Sequence, residues 1–295
     1  MRTRMAAACA ALIGHCAMAQ GTDVTLYGVV DLGLRNGSGL SASNAPTAGS
    51  SHSLGSGIHT TSRWGLRGVE LVLEGAGLTV VSGHNGSGKT LLARHLLGLE
   101  RPDEGRILLD GDDLRRDLRG ARRRIAFVFQ EPEHQILGMT VDEDVAWTPS
   151  RLGWPRDRIQ ESRRRALQLT GLEGRGQELA AFLSGGEKRR LAIASVLAAE
   201  PEMIILDEPF NDLDWPGVRT LLSILLDLRR RGIALLVITH DLEKCLAHAD
   251  RLVVMQEGRI AADGAVAELW ERLPELGMRR PGPLSGSLAG MSWLD

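Results

Sequence analysis

The chain has 295 residues, 43% hydrophobic and 24% charged, with a formal net charge of −2. That is enough chain, of ordinary globular composition, to bury a real core in one large domain or two small ones. The charge balance gives no basic footprint for nucleic acid, and Cys9, Cys16 and Cys245 make neither a disulfide framework nor a metal site.

The first nineteen residues carry Arg2 and Arg4, an apolar run over 5–13, and the small-x-small sequence Ala17-Met18-Ala19 before Gln20. That is the three-part layout of a secretory signal peptide, so residues 1–19 are expected to be one. Residues 24–34, VTLYGVVDLGL, are rich in β-branched residues and bounded by glycine, as a strand is. Residues 36–62 contain no Asp, Glu, Lys or Arg, and 16 of the 27 are Gly, Ser or Thr. Such a stretch buries too little apolar surface to offset its ordering entropy, so it reads as loop. Together with SGIHTTSRWGLRG, these pieces resemble the amino terminus of a Gram-negative outer-membrane porin. A closed barrel needs about eight strands or more, and the rest of the chain has no alternating barrel strands. Residues 20–67 are therefore expected to be a porin-like, largely disordered segment on a protein that is not a porin.

From residue 68 the pattern is α/β. Continuous apolar runs recur at 78–82 (LTVVS), 125–129 (IAFVF), 203–206 (MIIL) and 233–239 (IALLVIT), with helical patterns between them. Unbroken apolar strands indicate a parallel sheet covered on both faces. Residues 140–199 read as a helical subdomain inserted between the second and third of these runs.

Residues 83–90, GHNGSGKT, follow a strand and precede the helical pattern LLARHLLGL, the context that makes G-x-x-x-x-G-K-[ST] a P-loop. Gly83, His84, Asn85, Gly86, Ser87 and Gly88 would wrap phosphates with backbone N–H groups at a helix N-terminus. Lys89, one of only three lysines, would reach the β- and γ-phosphates, and the Thr90 hydroxyl would ligate Mg²⁺. The strand MIIL ends in Asp207, placed to hold Mg²⁺ through water, and in Glu208, the candidate base for the attacking water. Ser184, Gly185 and Gly186, in LSGGE, open a second helix as a second anion site.

These residues resemble the ATP-binding-cassette (ABC) ATPases, whose signature is LSGGQ. Gln130 matches the family's Q-loop, also a Mg²⁺ contact, and His240, at the end of LLVITH, matches the switch histidine. Asn211-Asp212-Leu213-Asp214 falls where the D-loop belongs. The resemblance implies an α/β fold: a P-loop NTPase sheet over 68–264, with a helical ABC subdomain at about 135–199 and a C-terminal extension over 265–295. It also implies ATP and Mg²⁺, a head-to-tail dimer with a second ABC ATPase subunit (the same or a related chain), and a transmembrane transporter subunit. Each ATP would lie between 83–90 of one subunit and 184–186 of the other. His240 would touch the γ-phosphate, and Gln130 would link Mg²⁺ or the attacking water to the helical subdomain.

The text FQEPEHQILGMTVDEDVAW, with a second glutamine at Gln135, is similar to the ATPases of energy-coupling-factor importers and of cobalt- or biotin-type systems. The expectation is thus an ATP-hydrolysing importer subunit for a vitamin or transition-metal ion, on the cytoplasmic face of the inner membrane. That location conflicts with the signal-like start. The alternative is an exported or non-functional fusion, and a further rival is a non-transport ABC ATPase.

Three features depart from the family pattern. Glu187 stands where glutamine is usual, and Phe210-Asn211-Asp212 replaces Thr-Ser-Ala. The match also begins only at Leu66, so a front β-strand and its adenine-stacking aromatic are expected to be missing. The other reading lets 24–34 supply that strand, with Tyr27 as the ring; Trp64 sits too near Leu66 to fold over adenine.

Overall fold

Two sheets share the chain, and the apolar pattern decides which residues enter each. The computed structural model describes the backbone strand over 26–31 and residues 66, 68–282 and 292–294. Strands β3 (Leu78–Gly83), β6 (Ile125–Val128), β7 (Met203–Asp207), β8 (Ala234–Ile238), β9 (Arg251–Gln256) and β10 (Arg259–Ala265) form a six-stranded sheet of order β10-β9-β3-β8-β7-β6. All neighbours are parallel except the β10–β9 edge. The four expected runs lie in it, so the α/β P-loop fold class is as expected. The added members are β9, another apolar strand, and β10, an edge strand whose RIAADGA sequence carries the charged Arg259 and Asp263.

Because both faces of the parallel strands are covered, alternate residues feed different cores. Val80, Ile204, Leu206, Leu235, Val237, Leu252 and Val254 enter the larger core, while Val81, Met203, Ile205, Leu236, Ile238, Val253 and Met255 enter the smaller one. The larger core is closed by α3 (Val141–Arg151), α4 (Arg156–Leu169), α5 (Gly185–Leu197) and α6 (Trp215–Arg230), numbered after α1 (Lys89–Leu96) and α2 (Leu118–Arg124). Helix α6 shows why it sits there. Val218, Leu221, Leu222, Leu225 and Leu228 recur at helical spacing and are all buried, and Asp214 caps the first turn through Gly217 N–H at 2.9 Å. The chain ends of this core include Trp270, Leu273 and Met278, which follow the short α7 (Val266–Leu269).

The smaller core lies between the parallel sheet, α1 and a second, antiparallel sheet of order β2-β1-β4-β5: β1 (Leu26–Asp31), β2 (Val69–Leu73), β4 (Glu104–Leu109) and β5 (Asp112–Asp113). Here the expectation of a missing front strand is corrected. Strand β1 lies between β2 and β4, antiparallel to both, with Tyr27 in register with Val72 and Leu108. The physical reason is that β2 and β4 each offer a hydrogen-bonding edge, and the β-branched 26–31 segment satisfies both at once. The signal-like segment, Trp64 and the rest of the porin-like stretch lie outside the described residues, apart from β1 and Leu66.

Candidate nucleotide site

The P-loop leaves β3 and enters α1 through backbone shapes that demand glycine. Gly83 has φ +148°, and a Cβ there would stand 2.1 Å from the Met255 carbonyl oxygen of β9. Gly88, the N-cap of α1, has φ +102°, and its Cβ would meet Leu66 Cδ2 at 2.7 Å. Leu66 is fully buried, which explains why the junction LRGVEL belongs to this fold. No side chain caps α1 and no acidic residue occupies its first turn, so its leading N–H groups remain for an anion. Lys89 curls over the loop, its Nζ donating to Gly83 O at 2.8 Å and His84 O at 3.1 Å. Burial pushes its ammonium pKa below the ordinary value, and the Glu208 and Asp207 carboxylates pull it back up.

Asp207 and Glu208 stand at the C-terminal end of β7, where parallel sheets place ligands. Asp207 Oδ2 accepts a hydrogen bond from Thr90 Oγ1 at 3.0 Å, joining the two expected metal-binding residues directly. Burial raises the Asp207 pKa; the Thr90 hydrogen bond lowers it, and neighbouring Glu208 raises it further. Glu208 has φ +46°, a left-handed conformation unusual for a residue with a side chain. Its carboxylate takes three donors: Thr239 Oγ1 at 2.9 Å, His240 N–H at 3.1 Å and His240 Nδ1 at 2.8 Å. A carboxylate only accepts, so His240 Nδ1 is the donor in this contact.

The signature segment is built differently. Ser184 and Glu187 form a capping box on α5: Ser184 N–H donates to Glu187 Oε2 at 2.8 Å, and Glu187 N–H donates to Ser184 Oγ at 3.4 Å. The Ser184 N–H, with Arg175 beside it, holds the Glu187 carboxyl down at about 2. Ser184 and Gly186 line a cleft of about 250 Å³ with Leu213, Asp214 and Gly217, whereas His84 through Ser87 line a different one with Gln256 and Arg259. One chain therefore brings together Lys89, Thr90, Asp207, Glu208 and His240 but leaves Ser184 and Gly186 on another cleft, with Gly185 exposed between them. Gln130 is exposed just beyond β6 and bonds none of these residues.

Four contributors escaped the sequence reading in these roles. Thr239 anchors Glu208, and Lys244 ties Phe210 O (3.2 Å) to Asp241 (2.8 Å), joining the D-loop to the histidine segment. Gln135 accepts from Phe129 N–H at 3.1 Å and donates to Ala192 O at 3.2 Å, lacing the segment after β6 to α5. Arg189, on α5, donates to Glu208 O at 3.0 Å. The scarcity of lysine was the one signal that could have found Lys244; nothing in the sequence singled out Arg189 among so many arginines.

A P-loop helix, a paired Asp-Glu at a strand end and a histidine held by that glutamate define a nucleotide-hydrolysing ATPase of the ABC kind. Comparison with known proteins agrees: the ABC transporter family model matches residues 66–211. The cobalt import ATP-binding protein of Syntrophus aciditrophicus is 42% identical over 200 residues, 67% of this chain and 71% of that protein. The energy-coupling factor transporter ATP-binding protein of Methanocaldococcus jannaschii is 35% identical over 222 residues, covering 73% and 80% of the two chains. Among solved structures, CbiO1 of Clostridium perfringens, part of the CbiONQ ABC transporter complex, matches with TM-score 0.65 and 32% identity over 72% of this chain and 90% of that one. The chain belongs to the ABC transporter ATP-binding protein family, and it is an ABC-type ATPase.

Proposed function

We propose that this chain is the ATP-hydrolysing subunit of an ABC importer that takes up a vitamin or a transition-metal ion. The observation that carries the enzymatic part is Glu208, pinned by Thr239 and His240 beside the Thr90–Asp207 pair. The P-loop N–H groups and Lys89 would bind and orient the ATP phosphates. Glu208 would take the proton of the water attacking the γ-phosphorus as the bond to ADP breaks. Its hydrogen bond to Nδ1 fixes the His240 ring, leaving Nε2 for the γ-phosphate.

The residues present fit Mg²⁺. A hydroxyl and a carboxylate already in contact are hard oxygen donors. Among the described residues no cluster of three or more His, Cys, Asp or Glu forms a protein cage, as suits an ion held largely by substrate phosphates. Thr90 and Asp207 would hold it, with Gln130 reaching it from the helical side, and it would neutralise charge developing on the transferred phosphoryl group.

Because Ser184 and Gly186 line a different cleft from the P-loop, with Gly185 exposed between them, the three serve best a nucleotide on a second ABC ATPase subunit, in a head-to-tail dimer. The importer assignment rests on the relatives named for cobalt import and energy coupling, and on the Gln130/Gln135 pair. Among the described residues no helix is long and apolar enough to cross a membrane, so a separate transmembrane subunit would carry the substrate, with this chain on the cytoplasmic face.

Steady-state Mg-ATP turnover tests the core of this reading. Glu208→Gln should lower kcat by about 10²–10⁴ and retain ATP binding. Equal turnover in the variant would remove Glu208 from the role of base.

A further inference from the structure

Arg189 is an expensive residue to keep where it is. It is 5% exposed, on the fifth position of α5, and its Nε has no hydrogen-bond partner. Its guanidinium donates to a neutral acceptor, and the Asp212 and Glu133 carboxylates offset its burial only through space, whereas buried charges are normally paired or fully hydrogen-bonded. A methionine would fill the same space without that cost, so packing alone does not account for an arginine here.

What the guanidinium does is hold a peptide group. Nη1 donates to Glu208 O at 3.0 Å, and Glu208 N–H donates to Ile238 O at 2.8 Å. The left-handed Glu208 backbone is thereby pinned on both sides, and with it the direction in which the carboxylate leaves the strand. The same helix begins with Gly185 and Gly186, whose N–H groups have no partner within the helix. One rigid turn of α5 therefore separates the outward-facing anion site from the residue that sets the catalytic carboxylate.

We infer that Arg189 is a positioning residue that couples the two ATP sites of the dimer: a nucleotide gripped in trans by Gly185 and Gly186 sets Glu208, which acts on the nucleotide bound in cis. This rests on the ATPase-dimer reading above. When α5 shifts to close on the partner's phosphate, Arg189 carries the shift to the Glu208 carbonyl. Lys89 and the P-loop contacts do not involve Arg189, so ATP affinity in cis is independent of it.

The test compares wild type, Arg189→Met, Arg189→Lys and Glu208→Gln in ATP titrations of hydrolysis, with nucleotide binding measured separately by equilibrium dialysis. Thermal melts confirm folding. Displacing a catalytic group by an ångström costs about 100-fold, so Arg189→Met should lose about that in kcat with KM and ATP affinity unchanged. Its ATP dependence should fall from a Hill coefficient approaching about 2 to about 1, since two coupled sites set the upper limit. Arg189→Lys, which keeps a charged donor, should recover most of both. If Arg189→Met does not fold, the Lys variant must still show partial loss of kcat and of cooperativity at unchanged affinity. Wild-type kcat and cooperativity in Arg189→Met, or a raised KM at constant kcat, would overturn the coupling role while leaving the ATPase reading intact. A wild type that fails to hydrolyse ATP would overturn both.

Discussion

The P-loop half and the signature half of this molecule answer the same requirement, an anion held at a helix N-terminus, in opposite ways. Around the P-loop the side chains that carry the chemistry bond inside the chain, Lys89 on loop carbonyls, Thr90 on Asp207 and Glu208 on Thr239 and His240, while the buried Ser82 and Ser87 hydroxyls have no partner among the described residues. Around the signature, Ser184 and Glu187 cap each other while Gly185 is left exposed. Side chains that bond one another are preorganised for chemistry, whereas the signature helix offers a ligand only its backbone N–H groups and its own capping box. The difference fits the proposed division between a site that acts within the chain and one that would act across an interface.

The sharpest way to break this comparison is to disarm the P-loop half. Lys89→Met removes a buried charge whose hydrogen bonds, among the described residues, are to the Gly83 and His84 carbonyls. Charged hydrogen bonds contribute about 1.5–3 kcal/mol, so ATP affinity should fall about 10- to 100-fold, measured by calorimetry. Because burial is the dominant influence on the Lys89 ammonium, methionine spares the cost of desolvating it and the variant should remain folded. A variant that binds ATP like wild type would mean the loop backbone alone carries affinity.

How far the sequence announced all this differs between the two halves and between the two sheets. That Lys89, Thr90, Asp207, Glu208 and His240 would stand together was legible, the first four from the P-loop and strand-end motifs and His240 from the ABC resemblance, and the structure brings them together. The parallel strands were legible because both of their faces are buried, leaving unbroken apolar runs. The antiparallel sheet was not, since β4 opens with the exposed Glu104, Gly105 and Arg106, and β5 is only Asp112–Asp113. Strand β1 looked like part of something else because its own sequence is compatible with a barrel, and only its pairing with β2 and β4 assigns it to this domain. Arg189 and Gln135 were missed as structural ties because both act through backbone carbonyls or N–H groups, which carry no residue-specific mark.

A smaller effect sharpens the boundary between the halves. Gln135 joins the Phe129 N–H to the Ala192 carbonyl and so links the segment after β6 to α5. Gln135→Ala removes both bonds at a partly exposed position, and should lower unfolding stability by about 1 kcal/mol in urea melts. ATP affinity should be unchanged, because no P-loop contact is lost. A parallel fall in affinity would show that the two halves share a tighter mechanical link than Arg189 alone provides.

The smallest expected effect concerns the one signature residue that departs from the family pattern. Glu187 completes the capping box and pairs with Arg175, so its charge is compensated where a partner's phosphate would approach. Glutamine in its place can still accept from Ser184 N–H, because a capping box works with either residue. What Glu187→Gln loses is the ion pair, a contribution of less than about 1 kcal/mol for a pair this accessible to water. The pH dependence isolates it. The folded-state carboxyl sits at about 2, below its ordinary value of 4.5, so its stabilisation is complete above pH 4.5 and is lost as pH falls toward 2. The variant should therefore show a shallower loss of stability across that window in acid titrations followed by circular dichroism, with the two curves converging at the acid end. At neutral pH its kcat should stay within about twofold of wild type, the rate equivalent of a few tenths of a kcal/mol. A large drop in turnover would mean the negative charge is used in the trans site, and that the signature half is specialised by Glu187 rather than merely capped by it.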